Sequence, residues 1–468
     1  MQDYLRAVGE QIRWKRARAV VLRELEGHLS DQAAAFAAEG ETEETACRRA
    51  VEEMGDPVEV GVALDRVHRP RPQWGTLLLA LGITLLGGAL RVYLTAGSGY
   101  DAANPLRTAL ALVLGGVALV GMYLLDYTWF LRHARGVYVS AVVLGLLALA
   151  LSPRVNSASY YTRYVVLLYP AVYALWLYGW REKGCTGFLA ALLGGGPLLA
   201  VCLLAPYLFG AAQLLAVGAA LLAAAGCMDW FGLGRGRTLA AVGAFGAAGL
   251  CAAAWLIFAK GVFLQRLVML LHPENDPLGA GYQAIQTRKA LAAARLWGSG
   301  TVMEGPYSFE QTVPGWNQDL FLTTVVYKLG WGALCLLLGL LAALLGVLLW
   351  KTLRQKCRGG RLLAWAVLLS LGVQAACGAA LNMGYVLFSV SPPLVVGNLA
   401  AIVQLALVGL ALSVFREDAI ARDGSMPRGR DGVHLAFRET AQNGNRIFSV
   451  SLIIPEHETN RTMETSYK

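Results

Sequence analysis

Between Trp74 and Arg416 the chain passes through one long apolar stretch after another, a pattern that soluble domains rarely show. Ten stretches stand out, at about 74–96, 106–127, 136–152, 161–180, 186–204, 207–227, 238–260, 319–350, 362–388 and 393–415. A helix needs ~20 predominantly apolar residues to cross ~30 Å of hydrocarbon, and most of these stretches reach that length. The third is short, and the eighth is long enough to tilt or to emerge from the bilayer. The expected fold is therefore all-α: a polytopic membrane protein with about ten transmembrane helices in residues 74–416. Composition agrees, since 56% of the residues are hydrophobic and 15% are charged.

The formal net charge of +9 would suggest a nucleic-acid partner in a soluble protein. Here the basic residues fall in short loops between spans, which is the positive-inside pattern and implies membrane lipids, not nucleic acid, as the neighbours. The basic loops carry Arg132 and Arg135, Arg181 and Lys183, Arg235 and Arg237, and then Lys351, Arg354, Lys356, Arg358 and Arg361. With these inside, both termini are expected in the cytoplasm and the 261–318 loop outside. Eight cysteines are scattered. Cys47 and Cys357 fall in segments assigned to the cytoplasm, and the others lie in or beside apolar runs. No pair has metal-ligand spacing, so neither a disulfide nor a zinc site is expected.

Residues 1–70 read as a separate cytoplasmic helical unit, with 14 Asp and Glu against 10 Lys and Arg. Leu5, Val8, Ile12, Val21, Leu22, Leu25 and Leu29 recur at helical spacing from Tyr4 to Ala38. Gly40 breaks the pattern, and Thr42 caps a second helix running to Met54. Gly55-Asp56-Pro57 stops that helix and opens another, from Val58 to Val67. The charged, amphipathic start also argues against a cleavable signal peptide. At the other end, residues 417–468 are polar and mixed and read as a largely disordered cytoplasmic tail, with room for a short docking strand in Ile447–Ile454.

Most of the polar groups within the apolar region sit in residues 266–331. Val313-Pro314-Gly315-Trp316-Asn317-Gln318-Asp319-Leu320-Phe321 places a carboxylate at the start of the eighth apolar run. An ionisable group at the end of a membrane span is costly unless something pairs with it or uses it. Asp319 has two possible uses, as the cap of its helix or as a working group. Upstream, the prolines and glycines from His272-Pro273 to Gly281 make an ordered turn region. Ala284–Trp297 reads as an amphipathic helix, with Arg288 and Arg295 on one side and Lys289 flanking. Such a helix suits phosphate head groups or is simply a solvated charged face.

These residues resemble the bacterial SEDS proteins (FtsW, RodA and SpoVE), ten-span enzymes of cell-wall synthesis. The resemblance rests on Arg266, His272-Pro273, Asp276-Pro277-Leu278-Gly279, Gly281-Tyr282-Gln283, the Val313–Leu320 turn ending in Asp319, Leu329-Gly330 and Asn382. The prefix, through its Met54-Gly55-Asp56-Pro57 turn, resembles the helical domain that precedes some bacterial permeases and sensors. The first resemblance implies a multi-pass protein of the bacterial inner membrane acting in division, elongation or sporulation. It further implies a peptidoglycan glycosyltransferase that polymerises a lipid-linked disaccharide-peptide on a polyprenyl diphosphate, beside a class B penicillin-binding transpeptidase. Asp319 matches the family's catalytic residue. Arg266, Tyr282, Gln283, Arg288, Lys289, Arg295 and Asn382 are the candidate substrate contacts. No cofactor follows from the sequence: a divalent cation is compatible with it, but no ligand cluster occurs.

The chain also departs from the family. Tyr169-Pro170-Ala171-Val172 stands where the family has Gln-Pro-Ser-Glu. Ala205-Pro206-Tyr207 has no acidic counterpart to the family's Gln-Pro-Asp-Leu-Gly-Thr. Tyr327-Lys328 replaces a Glu pair, and Ser389-Val390-Ser391-Pro392-Pro393-Leu394 replaces the motifs before the last span. These losses keep a second expectation open, an inactive scaffold that recruits wall-synthesis partners. A transporter ranks third, because the spans are mostly Leu, Ala and Gly and lack mid-bilayer charge.

Overall fold

A computed structural model describes residues 1–68, 70, 72–96, 105–155, 158–260, 268–301, 308–396, 398–416, 434–442 and 445–453. The chain divides into two compact units, Met1–Ser425 and Met426–Lys468.

The first unit opens with four helices: Gln2–Gln11, Lys15–Ala38, Glu43–Met54 and Pro57–His68. Their apolar faces enclose a small core in which Val8, Ile12 and Leu29 are fully buried. The spacing predicts one helix through residues 4–38, but the chain breaks at Ile12–Trp14. Ile12 is extended there, and the freed Arg13 N–H donates to Asp65 of the fourth helix at 2.9 Å. Thr42 caps the third helix, accepting from Thr45 N–H at 3.4 Å.

Among the described residues, eight helices are long and apolar enough to cross a membrane. They are Trp74–Thr95, Pro105–Leu124, Ala134–Leu151, Gly184–Leu204, Leu208–Cys227, Trp331–Arg354, Arg358–Asn382 and Leu399–Arg416. Two further helical stretches lie where the sequence reading places its fourth and seventh spans. Thr162–Val165 continues through a tight turn at Val166–Leu168 into Tyr169–Gly179, and Arg235–Lys260 forms one rod. The chain is a multi-pass membrane protein, and these stretches are numbered below as spans one to ten in chain order.

Packing inverts the soluble pattern, as it must when the solvent is lipid. On the second span Leu110, Val113, Leu114 and Val117 point outward, whereas Thr108, Ala111, Gly115 and Leu119 face the interior. Gly115 and Gly409 let the second and tenth spans approach closely. A Cβ at Gly115 would meet Leu405 Cδ1 at 2.7 Å, and one at Gly409 would meet the Leu119 carbonyl at 2.4 Å. Small residues at such crossings supply the close contact that the hydrophobic effect cannot supply within lipid.

Three boundaries differ from the sequence reading. The eighth apolar run is two helices, Phe321–Leu329 and Trp331–Arg354, divided at Gly330. Gly330 has φ +98° and ψ 170°, a region essentially confined to glycine. The ninth span stops at Asn382, and the tenth begins at Leu399. Between them the described residues form no helix or strand, and Pro392-Pro393 would interrupt a helix there.

The second unit, expected to be largely disordered, contains an antiparallel hairpin. Its strands, His434–Gln442 and Asn445–Ile453, pair from His434↔Ile453 to Gln442↔Asn445.

Candidate active site

The turn that ends at Asp319 is built from its neighbours inward. Phe309, Val313, Trp316 and Leu320 pack with Ala290 and Leu381 in one buried cluster, and Phe309 stacks on Tyr327 with ring centroids 4.4 Å apart. Thr324 Oγ1 donates to the Trp316 carbonyl at 2.5 Å, and Arg91 of the first span donates through Nε to the Asn317 carbonyl at 3.0 Å. The Lys328 ammonium pairs with Glu310 at 2.6 Å and lies 5.3 Å from the centre of the Trp316 ring. Partial burial works to raise the Glu310 carboxyl, but the hydrogen bond and charge of Lys328 outweigh it and leave the group below its usual range.

Helix Phe321–Leu329 needs an N-terminal cap, and Leu320 at the cap position has no side-chain acceptor. Asn382, at the end of the ninth span, supplies one from across the fold. Its Oδ1 accepts from Thr323 N–H at 2.8 Å and from Thr323 Oγ1 at 3.0 Å. Its Nδ2 donates to the carbonyls of Asp319 and Gly378, both at 2.8 Å. Both amide hydrogens are thus occupied, the side-chain carbonyl is satisfied by Thr323, and the residue is fully buried. The side-chain contacts of Asn382, nominated as a substrate contact, thus run to Thr323, to the Asp319 backbone and to its own helix.

Asp319 makes no cap bond. Its carboxylate turns toward the irregular segment between the ninth and tenth spans, where Ser389 Oγ donates to Oδ2 and Ser391 Oγ donates to Oδ1 at 2.8 Å. The carboxylate lies in the wall of a cleft of about 710 Å³. Arg163, Tyr207, Gln283, Gln374 and Gln404 supply much of the cleft's polar lining, with Leu167, Phe209 and Ala400 on its apolar side. Burial first, and the Asp319 charge second, push the Tyr207 phenol well above its ordinary value. Gln404 anchors the segment behind the cleft, accepting from Leu394 N–H at 2.8 Å and donating to Gln374 Oε1 at 2.8 Å. Gln374 is fully buried, and its Nε2 has no hydrogen-bond partner among the described residues.

The other nominated residues separate. Gln283 lines the cleft and reaches the Pro314 carbonyl at 3.5 Å. Tyr282 opens helix Tyr282–Ala292 but lies outside the cleft lining. Arg288 turns away from the cleft, donating to the Leu270 carbonyl at 3.3 Å and lying 5.5 Å from the centre of the Tyr385 ring. Lys289 is exposed. The helix ends at Ala292, short of the expected Trp297, so Arg295 is exposed beyond it and shares no helical face with Arg288. Arg266 lies outside the described residues. Asp276 closes its own turn by accepting from Gly279 and Ala280 N–H at 3.1 and 2.9 Å. Among the described residues no three His, Cys, Asp or Glu side chains converge as a metal site.

Sequence reasoning missed several polar residues of the cleft, among them Ser389, Ser391, Tyr207 and Arg163. Ser389 and Ser391 counted only as a departure, although Ser-x-Ser in an extended segment places both hydroxyls on one side. Tyr207 lay between two apolar runs, and Arg163 passed as the edge of the fourth span.

Comparison with known proteins follows the same geometry. The profile of the FtsW, RodA and SpoVE family, described as cell cycle protein, matches residues 73–418. "Probable peptidoglycan glycosyltransferase FtsW" of Halorhodospira halophila is 30% identical over 345 residues, which are 67% of this chain and 81% of that protein. "Peptidoglycan glycosyltransferase MrdB" of Escherichia coli K12 is 32% identical over 162 residues, 34% of this chain. That match spans 44% of the MrdB length, less than half of the relative. Among solved structures, a chain of a peptidoglycan synthase complex studied for the coordination of polymerization and crosslinking superposes with a TM-score of 0.56 at 24% identity. It covers 74% of this chain and 98% of that one. Thermus thermophilus RodA superposes with a TM-score of 0.50 at 19% identity, over 74% and 97% of the two chains. At these identities the structural matches establish the fold.

Proposed function

Because this chain belongs to the FtsW, RodA and SpoVE family of cell cycle proteins, we propose that it is a peptidoglycan glycosyltransferase with Asp319 as its general base. The observation that carries this reading is that Asp319 lines the cleft while Asn382 does the capping. An ionised carboxylate has about four lone-pair sites, and Ser389 and Ser391 occupy two. The remainder can receive the proton of an acceptor hydroxyl as its oxygen attacks the anomeric carbon of a lipid-linked sugar. Inverting glycosidases use a carboxylate in the same way on water. The new C–O bond forms as the bond to the diphosphate breaks, and the electron pair leaves with the diphosphate, so no strong acid is required.

The substrate in this reading is a lipid-linked disaccharide-peptide on a polyprenyl diphosphate. Gln283 contacts it from the cleft wall, and Tyr282 and Arg266 are the further candidate contacts. The partner is a class B penicillin-binding transpeptidase, in line with the synthase complex that shares the fold. The chain sits in the bacterial inner membrane with both termini in the cytoplasm, an orientation supported by its basic loops.

The test is polymerisation of purified lipid-linked disaccharide-peptide by the full chain, with and without the transpeptidase. Asp319→Asn should fold normally and lose ~10²–10⁴-fold in rate. An active wild type matched in rate by Asp319→Asn overturns the base assignment. A wild type that binds the transpeptidase yet polymerises under neither condition leaves the scaffold reading, which Val172 at the family's Glu position favours.

A further inference from the structure

Of the described residues that line the cleft, Arg163 is the one cation. It stands at the start of the fourth span, in the turn Thr162–Val165, with Tyr160 and Tyr164 on either side. Its guanidinium carbon lies 4.4 Å from the centre of the Tyr160 ring and 4.9 Å from that of Tyr164. One nitrogen, Nη2, donates to the Tyr164 hydroxyl at 2.7 Å. Nε is buried and finds no hydrogen-bond partner among the described residues. The neighbouring cations are already committed: Arg91 to the Asn317 carbonyl, Lys328 to Glu310 and Arg288 to the Leu270 carbonyl. A buried, uncommitted N–H on a permanent charge at the edge of a membrane span is costly to keep without an acceptor.

We infer that Arg163 binds the diphosphate of a lipid-linked donor and stabilises the charge that diphosphate gains as the sugar departs. This rests on the glycosyltransferase reading and deepens it by naming the residue that faces the leaving group. A guanidinium offers planar, paired donors that match phosphate oxygens, and the two tyrosine rings fix its plane before the ligand arrives. Asp319 and Arg163 are close enough to interact electrostatically, so base and leaving-group cation share one cleft. The proton from the acceptor passes to the Asp319 carboxylate. The electron pair of the broken C–O bond goes to the diphosphate oxygen facing Arg163.

The experiment measures binding of farnesyl diphosphate, farnesyl monophosphate and phosphatidylglycerol to the purified full chain in detergent, alongside its polymerisation rate. Arg163→Gln should weaken farnesyl diphosphate binding roughly ten- to hundredfold with an unchanged thermal midpoint. Arg163→Lys should fall between it and wild type, because a point charge replaces the fork. Arg107→Gln, which changes an exposed cation outside the cleft, should bind normally. Phosphatidylglycerol should compete poorly. Equal farnesyl diphosphate binding by wild type and Arg163→Gln overturns the inference, as does equal competition by phosphatidylglycerol or no binding by wild type. The two readings separate cleanly. Arg163-dependent binding without polymerisation sinks the enzyme and keeps the site. Polymerisation that is indifferent to Arg163→Gln keeps the enzyme and sinks the site.

Discussion

Replacing Asn382 tests whether it positions Asp319 or touches substrate. In Asn382→Ala, the Thr323 N–H loses its acceptor within a fully buried environment, and the Asp319 carbonyl loses its donor in a partly buried one. An orphaned buried donor costs about 1–3 kcal/mol. The Thr323 amide should bear a loss of that order, and the less enclosed Asp319 carbonyl should add a smaller increment. Thr323 Oγ1 keeps the Asn382 backbone carbonyl at 3.0 Å, and Gly378 is a helical carbonyl, so neither adds much. Asn382→Asp separates the two jobs. It retains an acceptor for Thr323 but turns a carboxylate oxygen toward the Asp319 carbonyl, where two acceptors repel. Thermal unfolding in detergent should therefore place Ala well below wild type and Asp between them. The polymerisation rate should fall in both variants with KM little changed, since the loosened Asp319 acts on the chemical step. A wild-type midpoint in Asn382→Ala, with the loss confined to KM, would show instead that Asn382 contacts substrate.

Three further outcomes follow from separate elements. Gly330→Ala forces a Cβ to within 2.5 Å of the Leu296 carbonyl oxygen at φ +98°, so it should cost about 1–3 kcal/mol from the backbone alone; an unchanged thermal midpoint would count against the two-helix description. Glu310 has a folded-state carboxyl below its ordinary value, so its contribution is fully present above the unfolded value and lost as pH falls through the lowered folded one. Glu310→Gln should flatten that acid limb of a stability–pH curve, and identical acid limbs would refute the pair's role. Residues 1–70 expressed alone should melt cooperatively as a helical unit, with Val8→Ala lowering the midpoint; a disordered circular dichroism spectrum would remove the domain.

What was legible in the sequence was whatever a solvent of lipid dictates. Ten apolar runs have few alternatives to helices, and Thr42 or Pro57 mark local boundaries by chemistry that needs no neighbour. What was not legible depends on partners distant in the chain. Gly330 is flanked by apolar residues, and only the Leu296 carbonyl pressed against it explains why the eighth run breaks there. Arg288 and Arg163 are the same residue type, yet one is spent on a backbone carbonyl and the other lines the cleft. Asn382 was found by resemblance, but its contact with Thr323 was not, because a side chain that caps a helix 59 residues away has no local signature.

That cap bears on a choice the sequence had left open. An aspartate just before a helix has two competing uses, and its own carboxylate cannot serve both at once. With Thr323 N–H satisfied by Asn382, capping at that position would be redundant. The carboxylate instead swings to two serine hydroxyls on the segment that replaces the family's final motifs. Hydroxyls are neutral donors. They fix the orientation of the carboxylate without cancelling its charge, and among the described residues no cation stands within ion-pair distance of it. A charged group is thus held still at a cleft wall, with acceptor sites left over and no structural duty at its own helix. That arrangement suits a proton acceptor, which is the role proposed for Asp319 above.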